Sequence, residues 1–461
     1  MRRTIAIILA LTFISAGTLF GQITEYSLKF GEVLNKISRY YVDTVNEEKL
    51  VNDVIVDMLH ELDPHSAYLT KEQVQASQEQ LEGGFEGIGV SFNILNDTIF
   101  IINPISGGPS EKVGIRAGDR IIKVNGKNVA GTGITNVEVQ KLLKGEKGTK
   151  VDVTIVRRRV NKPLKFTITR DEIPIYSLDA AYMVDDNTGY IKLARFSNTT
   201  MNEFLKALED LKEQDMENLI LDLSGNGGGY LFAAVNLADQ FLSGRRMIVY
   251  TEGMQNPKRD FYSSERGKFQ KGKLVVMLDE TSASASEIVA GAVQDWDRAV
   301  IVGRRSFGKG LVQGRFELRD GSELRLTVAK YYTPTGRLIQ KPYEEGYEAY
   351  SKDIINRYNS GELADADLID FPDSLTYYTM EKNRPVYGGG GIMPDYYVPI
   401  DTSYYNDYYR SLISRGILNQ FILEFVDKNR KALYAKYSDF STYQKRFEVD
   451  SDMINKLIEY A

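Results

Sequence analysis

Two short apolar runs, at residues 219–223 and 274–278, each give way at once to a turn of small residues and then to a helical period. Runs of that length read as buried strands, and strand, tight turn and helix repeated along a chain points to α/β layering. The first turn is Ser224-Gly225-Asn226-Gly227-Gly228-Gly229, with a helix starting near Tyr230. The second passes through Asp279-Glu280-Thr281 to Ser282-Ala283-Ser284-Ala285-Ser286, after which Ile288, Val289, Ala292 and Val293 keep helical spacing. A serine at such a turn sits at a helix N-terminus, beside backbone N–H groups suited to an oxyanion. A further strand at 299–302 leads into Ser306-Phe307-Gly308-Lys309-Gly310, where one lysine stands between two glycines. The glycine turn at 224–229 fits neither GxGxxG nor GxxxxGK[ST], so its N–H groups are read as facing a transient anion rather than a nucleotide.

The absence of cysteine excludes a thiol nucleophile, disulfides and thiolate metal sites. With only His60 and His65, a histidine-rich metal site is not expected either. A net charge of -6 without any Lys/Arg block argues against nucleic acid as a partner. A length of 461 residues predicts two or three domains. Residues 1–22, MRRTIAIILALTFISAGTLFGQ, have the basic, apolar and small-residue regions of a secretory signal peptide. Cleavage is expected between 17 and 22, leaving an exported mature chain that does not span the membrane. An uncleaved inner-membrane anchor is the other reading of this segment.

Residues 24–62 read as helical, with Leu28, Val33, Leu34, Ile37, Val51, Val54, Ile55, Met58 and Leu59 on one apolar face, ended by Pro64. Amphipathic helices outside a core pack on that core or on a twin subunit, which is compatible with a homodimer. His65 reads as a local hydrogen-bonding residue of the turn. Residues 173–402 alternate strands (188–193, 324–332, 396–400) with helices (200–213). Within them 343–383, rich in Tyr, Asp and Glu, has no period and reads as an insertion. The tail 403–461 reads as amphipathic helices.

Residues 83–172 resemble a PDZ domain, on the Gly87-Ile88-Gly89-Val90 loop and the run AGDRIIKVNG at 117–126. The resemblance implies that the backbone of Gly87, Ile88, Gly89 and Val90 receives a peptide's C-terminal carboxylate while the peptide adds a strand to the sheet. This unit is followed in order by DLSGNGGG, TSASASE, FGKGLVQ, TPTGRLIQ and GGGIMPD. On that order, residues 60–400 resemble the carboxyl-terminal processing peptidases, the tail-specific serine peptidases of family S41. The implied fold is a β-rich α/β core related to the ClpP/crotonase superfamily, with an inserted PDZ domain and helical N- and C-terminal regions. The implied activity is cleavage of proteins with accessible C-termini, in the periplasm, with no cofactor or metal. Ser284 matches the nucleophile, Lys309 the general base and Gln313 the residue that orients the lysine. The oxyanion donors would be the N–H groups of Gly228 and Ala285, with Ser282 and Ser286 as structural neighbours. One departure is Ser224, where the family commonly has Arg.

A serine hydroxyl needs a base to take its proton, and lysine serves only when neutral, far below its usual pKa of about 10.4. Burial supplies that shift. Phe307, Leu311 and Val312 are expected to form the apolar surround, with no acidic residue in the immediate loop. A non-catalytic, peptide-binding scaffold with the same fold would not need Ser284, Lys309 and Gln313 together.

Overall fold

The computed structural model describes residues 25–158, 160–401 and 406–461, so the segment read as a signal peptide lies outside the described residues. Around the two strand–turn–helix units stands a six-stranded sheet in the order Leu178–Met183, Thr188–Leu193, Asn218–Asp222, Leu274–Leu278, Val300–Gly303 and Tyr396–Tyr397. Only its first pair is antiparallel. The parallel strands bury Ile191, Leu193, Leu219, Leu221, Leu274, Val276 and Ile301, which alternate along each strand and so line one face of the sheet, where the core sits.

A second, antiparallel sheet joins Ala67–Leu69, Leu311–Glu317, Glu323–Tyr332, Met247–Gly253 and Asn256–Tyr262. The helix Ala285–Asp295 contacts Val300–Gly303 of the first sheet and Met247–Gly253 of the second, and all its residues are buried. Its small residues permit this: a Cβ on Gly291 would come within 2.8 Å of Thr333 Cγ2.

The unit resembling a PDZ domain is a third, antiparallel sheet ordered Val90–Ile94, Ile99–Pro104, Arg120–Val124, Lys150–Val156 and Leu164–Thr169. Thr135 caps the helix Asn136–Leu143, which follows in the chain after Arg120–Val124. Gly84–Gly87 pairs with Asp171–Pro174, so the chain enters and leaves this unit side by side.

The structure refines several expectations and shortens one. The helical region at 24–62 is two helices, Glu25–Tyr40 and Glu47–His60, because Asn46 accepts the Lys49 N–H at 3.0 Å and caps the second. A further helix, Lys71–Glu82, begins in a capping box between Thr70 and Gln73. The strand expected at 396–400 stops at Tyr397, and the segment 343–383 is built of short pieces, Tyr347–Ser351 and Asp353–Asn359 among them. Four helices form the tail: Asp407–Ser414, Ile417–Lys436, Phe440–Arg446 and Ser451–Tyr460. Asp427 ties this tail to the third sheet by accepting from Arg120 at 2.9 Å. Among the described residues no helix is long and apolar enough to cross a membrane.

Candidate active site

Ser284 stands at the N-terminus of the helix Ala285–Asp295 with φ 56° and ψ -110°, a conformation that an L residue adopts only when its surroundings impose it. Its neighbours impose it. Ser282 Oγ donates to Leu223 O at 2.9 Å and Ser286 Oγ to Asn226 O at 2.8 Å, so both flanking hydroxyls are spent holding the elbow to the glycine turn. Ala283 N–H also donates to Asn226 O at 3.0 Å. Gly228 lies so close that a Cβ there would be 2.8 Å from Ser284 Cβ and 3.0 Å from Ala285 N. That approach, at φ +100°, explains the glycine.

Ser284, Lys309, Gln313 and Gly228 border one cavity of about 640 Å³. Lys309 is driven below the usual lysine pKa, first by burial and further by Arg325, while Glu287 and Asp63 oppose the shift. The loop itself carries no acid, as expected, but Glu287 and Asp63 act on the lysine from other elements. Glu287, three residues after Ser284 on the buried helix, is fully enclosed. Its carboxylate accepts from Ser284 N at 2.7 Å, Lys309 N at 3.0 Å, Gly308 N at 2.6 Å and Ser306 Oγ at 2.6 Å. Burial pushes Glu287 up to about 7 against these bonds, each of which favours the carboxylate. A second clamp is the Tyr331 hydroxyl, which lies within reach of both the Ser284 carbonyl at 3.2 Å and the Lys309 carbonyl. Sequence reasoning missed both residues. The pattern Ser284-x-x-Glu287 at a strand-to-helix turn was the available signal for the first.

Two expected roles meet different local partners. Gln313 Nε2 lies 3.5 Å from Thr327 Oγ1, and no hydrogen bond joins it to the Lys309 amine among the described residues. The Gly228 N–H donates to Asn226 Oδ1 at 2.9 Å, so in this state it is engaged within its own turn. Ser224, where the family commonly has Arg, donates its N–H to Asp222 Oδ1 at 2.8 Å. His65 Nε2 is 2.7 Å from Tyr350 Oη, and burial together with Lys309 lowers the imidazole to about 3. The segment 343–383 thus reaches the site from behind, since Tyr350 also takes Gln340 Nε2 at 3.2 Å and Arg357 holds Ser306 O at 3.2 Å. Among the described residues no three His, Asp or Glu side chains gather as a metal site.

In the third sheet Val90–Ile94 is an edge strand. Ile88, Gly89 and Val90 border a groove of about 280 Å³, faced by Leu143 and Lys144, while Gly87 bridges to Lys144 beside it. The helix Lys71–Glu82 walls this groove and the cavity at Ser284 at once, with Gln80 bordering both. Glu79 on that helix pairs with Lys144.

Residues 187–347 match the model of peptidase family S41, residues 100–157 a PDZ domain, and residues 408–461 a family of unknown function. A carboxy-terminal-processing protease of Bartonella bacilliformis is 35% identical over 338 residues, which cover 70% of this chain and 77% of the relative. A carboxy-terminal processing protease of Bacillus subtilis is 34% identical over 340 residues, covering 74% and 71%. Among solved structures, the photosystem II D1 C-terminal processing protease is 29% identical with a TM-score of 0.39, covering 69% of this chain and 91% of that one.

Proposed function

The chain belongs to peptidase family S41, among the carboxy-terminal processing serine proteases with a PDZ domain, and from that premise we propose that it cleaves proteins near their C-termini with Ser284 as nucleophile and Lys309 as base. The observation that carries this is one cavity shared by a serine on a strained helix N-terminus and a lysine whose burial favours the neutral amine. In the reading, neutral Lys309 takes the Ser284 proton as Oγ attacks the scissile carbonyl, and later returns it to the leaving amine. Ala285 N–H, at the first turn of the helix, receives the oxyanion. Gly228 N–H joins it once substrate draws it from Asn226. Gln313 orients the lysine when its amide turns from Thr327.

Substrate C-termini are taken at the edge strand Val90–Ile94, with their carboxylate at the Gly87–Ile88–Gly89–Val90 loop. The units follow as 23–82, 83–172, 173–402 and 403–461. Export to a bacterial periplasm is the reading of residues 1–22. A homodimer through the N-terminal helices is supported by the exposed Tyr26, Leu28 and Val33 of Glu25–Tyr40, a helix with no buried residue.

Acid-quenching the protein during turnover of an activated peptide ester tests the nucleophile. The acyl group is expected on Ser284 by peptide mapping, and an acyl group on any other residue would overturn the assignment.

A further inference from the structure

All the ionisable acid–base side chains bordering the catalytic cavity, tyrosines aside, are basic: Arg195, Lys309, Arg315 and Arg325. Two of them share one counter-charge and have their donors engaged. Arg315 and Arg325 share Glu323, which is 1% exposed, through bonds of 2.7 and 2.8 Å. Arg325 also donates to Ser77 Oγ at 2.8 Å. Arg195 stands apart. Among the described residues its guanidinium has neither an ion pair nor a hydrogen bond, and its Nε is buried without an acceptor. Buried donors are seldom left unmatched, and a charged one least of all.

The backbone fixes where this group stands. Phe196, the next residue, receives the Tyr230 N–H on its carbonyl and donates its own N–H to Gly228 O, each at 2.9 Å. Arg195 is thereby stitched beside the glycine turn that faces Ser284. A planar guanidinium with free donors is matched best by a carboxylate, which accepts two parallel bonds.

We propose that Arg195 is a docking point for a substrate carboxylate within the catalytic cavity, separate from the groove at the edge strand Val90–Ile94. The carboxylate comes either from the chain terminus of a short segment beyond the scissile bond or from an Asp or Glu side chain near that bond. The inference rests on the peptidase reading and adds a charge preference to it.

The test uses the mature chain and quenched fluorescent peptides of one neutral sequence. Glu or Gln is scanned through the peptide, and each is made as free acid and as C-terminal amide. The wild type is expected to favour at least one carboxylate over its isosteric amide by about tenfold in kcat/KM, carried by KM. Arg195→Gln brings that ratio to about one, and Arg195→Lys restores part of it. The free-acid and amide pair identifies a terminal carboxylate; the Glu and Gln pair identifies a side chain. A wild type that does not discriminate overturns the proposal. So does an Arg195→Gln variant that keeps the ratio, which would place the preference at the Gly87–Val90 loop, or one that slows every peptide by the same factor. If the wild type cuts none of the peptides, the peptidase reading fails separately, and fluorescence anisotropy with Ser284→Ala decides. Tighter binding of the carboxylate peptide, lost on adding Arg195→Gln, sustains the docking role, and equal binding removes it.

Discussion

Ser284 and Lys309 come from different elements, yet one carboxylate oxygen, Oε2 of Glu287, accepts the backbone N–H of both, at 2.7 and 3.0 Å. The residues proposed as nucleophile and base are therefore registered through main chain rather than through their own flexible side chains. Such registration holds reacting groups at a productive separation, where small displacements cost large factors in rate.

Glu287→Gln tests this clamp. An amide turns a donor toward N–H groups that need an acceptor, leaving buried donors unmatched at a cost of about 1–3 kcal/mol each. The expected result is a fall in kcat of about 100-fold with a smaller change in KM, in protein that remains folded by circular dichroism. Unchanged kcat would show that the clamp does not serve the reaction.

The pH profile carries a second prediction. In the proposed role Lys309 serves as base only when neutral, and burial holds its pKa below the free value of 10.5. Because the neutral form grows as pH rises, kcat/KM is expected to climb through the lowered pKa and level off above it. Above pH of about 7, where Glu287 ionises, its charge favours the Lys309 ammonium. Glu287→Gln is therefore expected to move the midpoint to lower pH. A profile flat from pH 5 upward in the wild type would contradict a lysine base.

The glycine turn offers a steric test. In Gly228→Ala the new methyl meets Ala283 O and Ser284 Cβ, both at 2.8 Å, on a backbone at φ +100°. Activity is expected to drop by about 100-fold through displacement of Ser284. Gly225→Ala, at φ +79° with nothing within 4 Å, shares the backbone strain without the clash and serves as the comparison. Equal losses in the two variants would mean that strain alone is responsible.

Stability is expected to depend on a pair away from the cavity. Arg337 and Asp295 are both fully buried and hydrogen-bonded, and Asp295 also takes Thr335 N and Oγ1 at 2.9 and 2.7 Å. Asp295→Asn leaves the guanidinium without its counter-charge, a loss of about 3–5 kcal/mol. Urea unfolding followed by Trp296 fluorescence measures it, and a shift under about 1 kcal/mol would refute the role.

The strand at 274–278 was legible because it is short and continuously apolar, and the one at 188–193 because Tyr190, Ile191 and Leu193 stand in a short run bounded by turn residues. The break at 41–46 was not, since the apolar face continues across it and only the Asn46 cap interrupts the helix. The hairpin strand Leu311–Glu317 escaped notice because its pairing with Glu323–Tyr332 is set by the partner rather than by alternation in its own residues. The motifs at Ser284 and Lys309 located one cavity, but the long-range contacts that lock it leave no local signal beyond the Ser284-x-x-Glu287 spacing. Glu287 reaches Lys309 across 22 positions and Tyr331 reaches Ser284 across 47. Likewise the Tyr-rich segment at 343–383 lacks a period because Tyr350 and Arg357 anchor it by buried polar contacts, not by an apolar stripe.

Turnover of casein by the wild type, beside Ser284→Ala and Lys309→Ala, addresses the proposed dyad most directly. The account predicts cleavage by the wild type and none by either variant, with both variants unfolding at the wild-type midpoint. Normal cleavage by Lys309→Ala would place the base elsewhere and contradict the dyad.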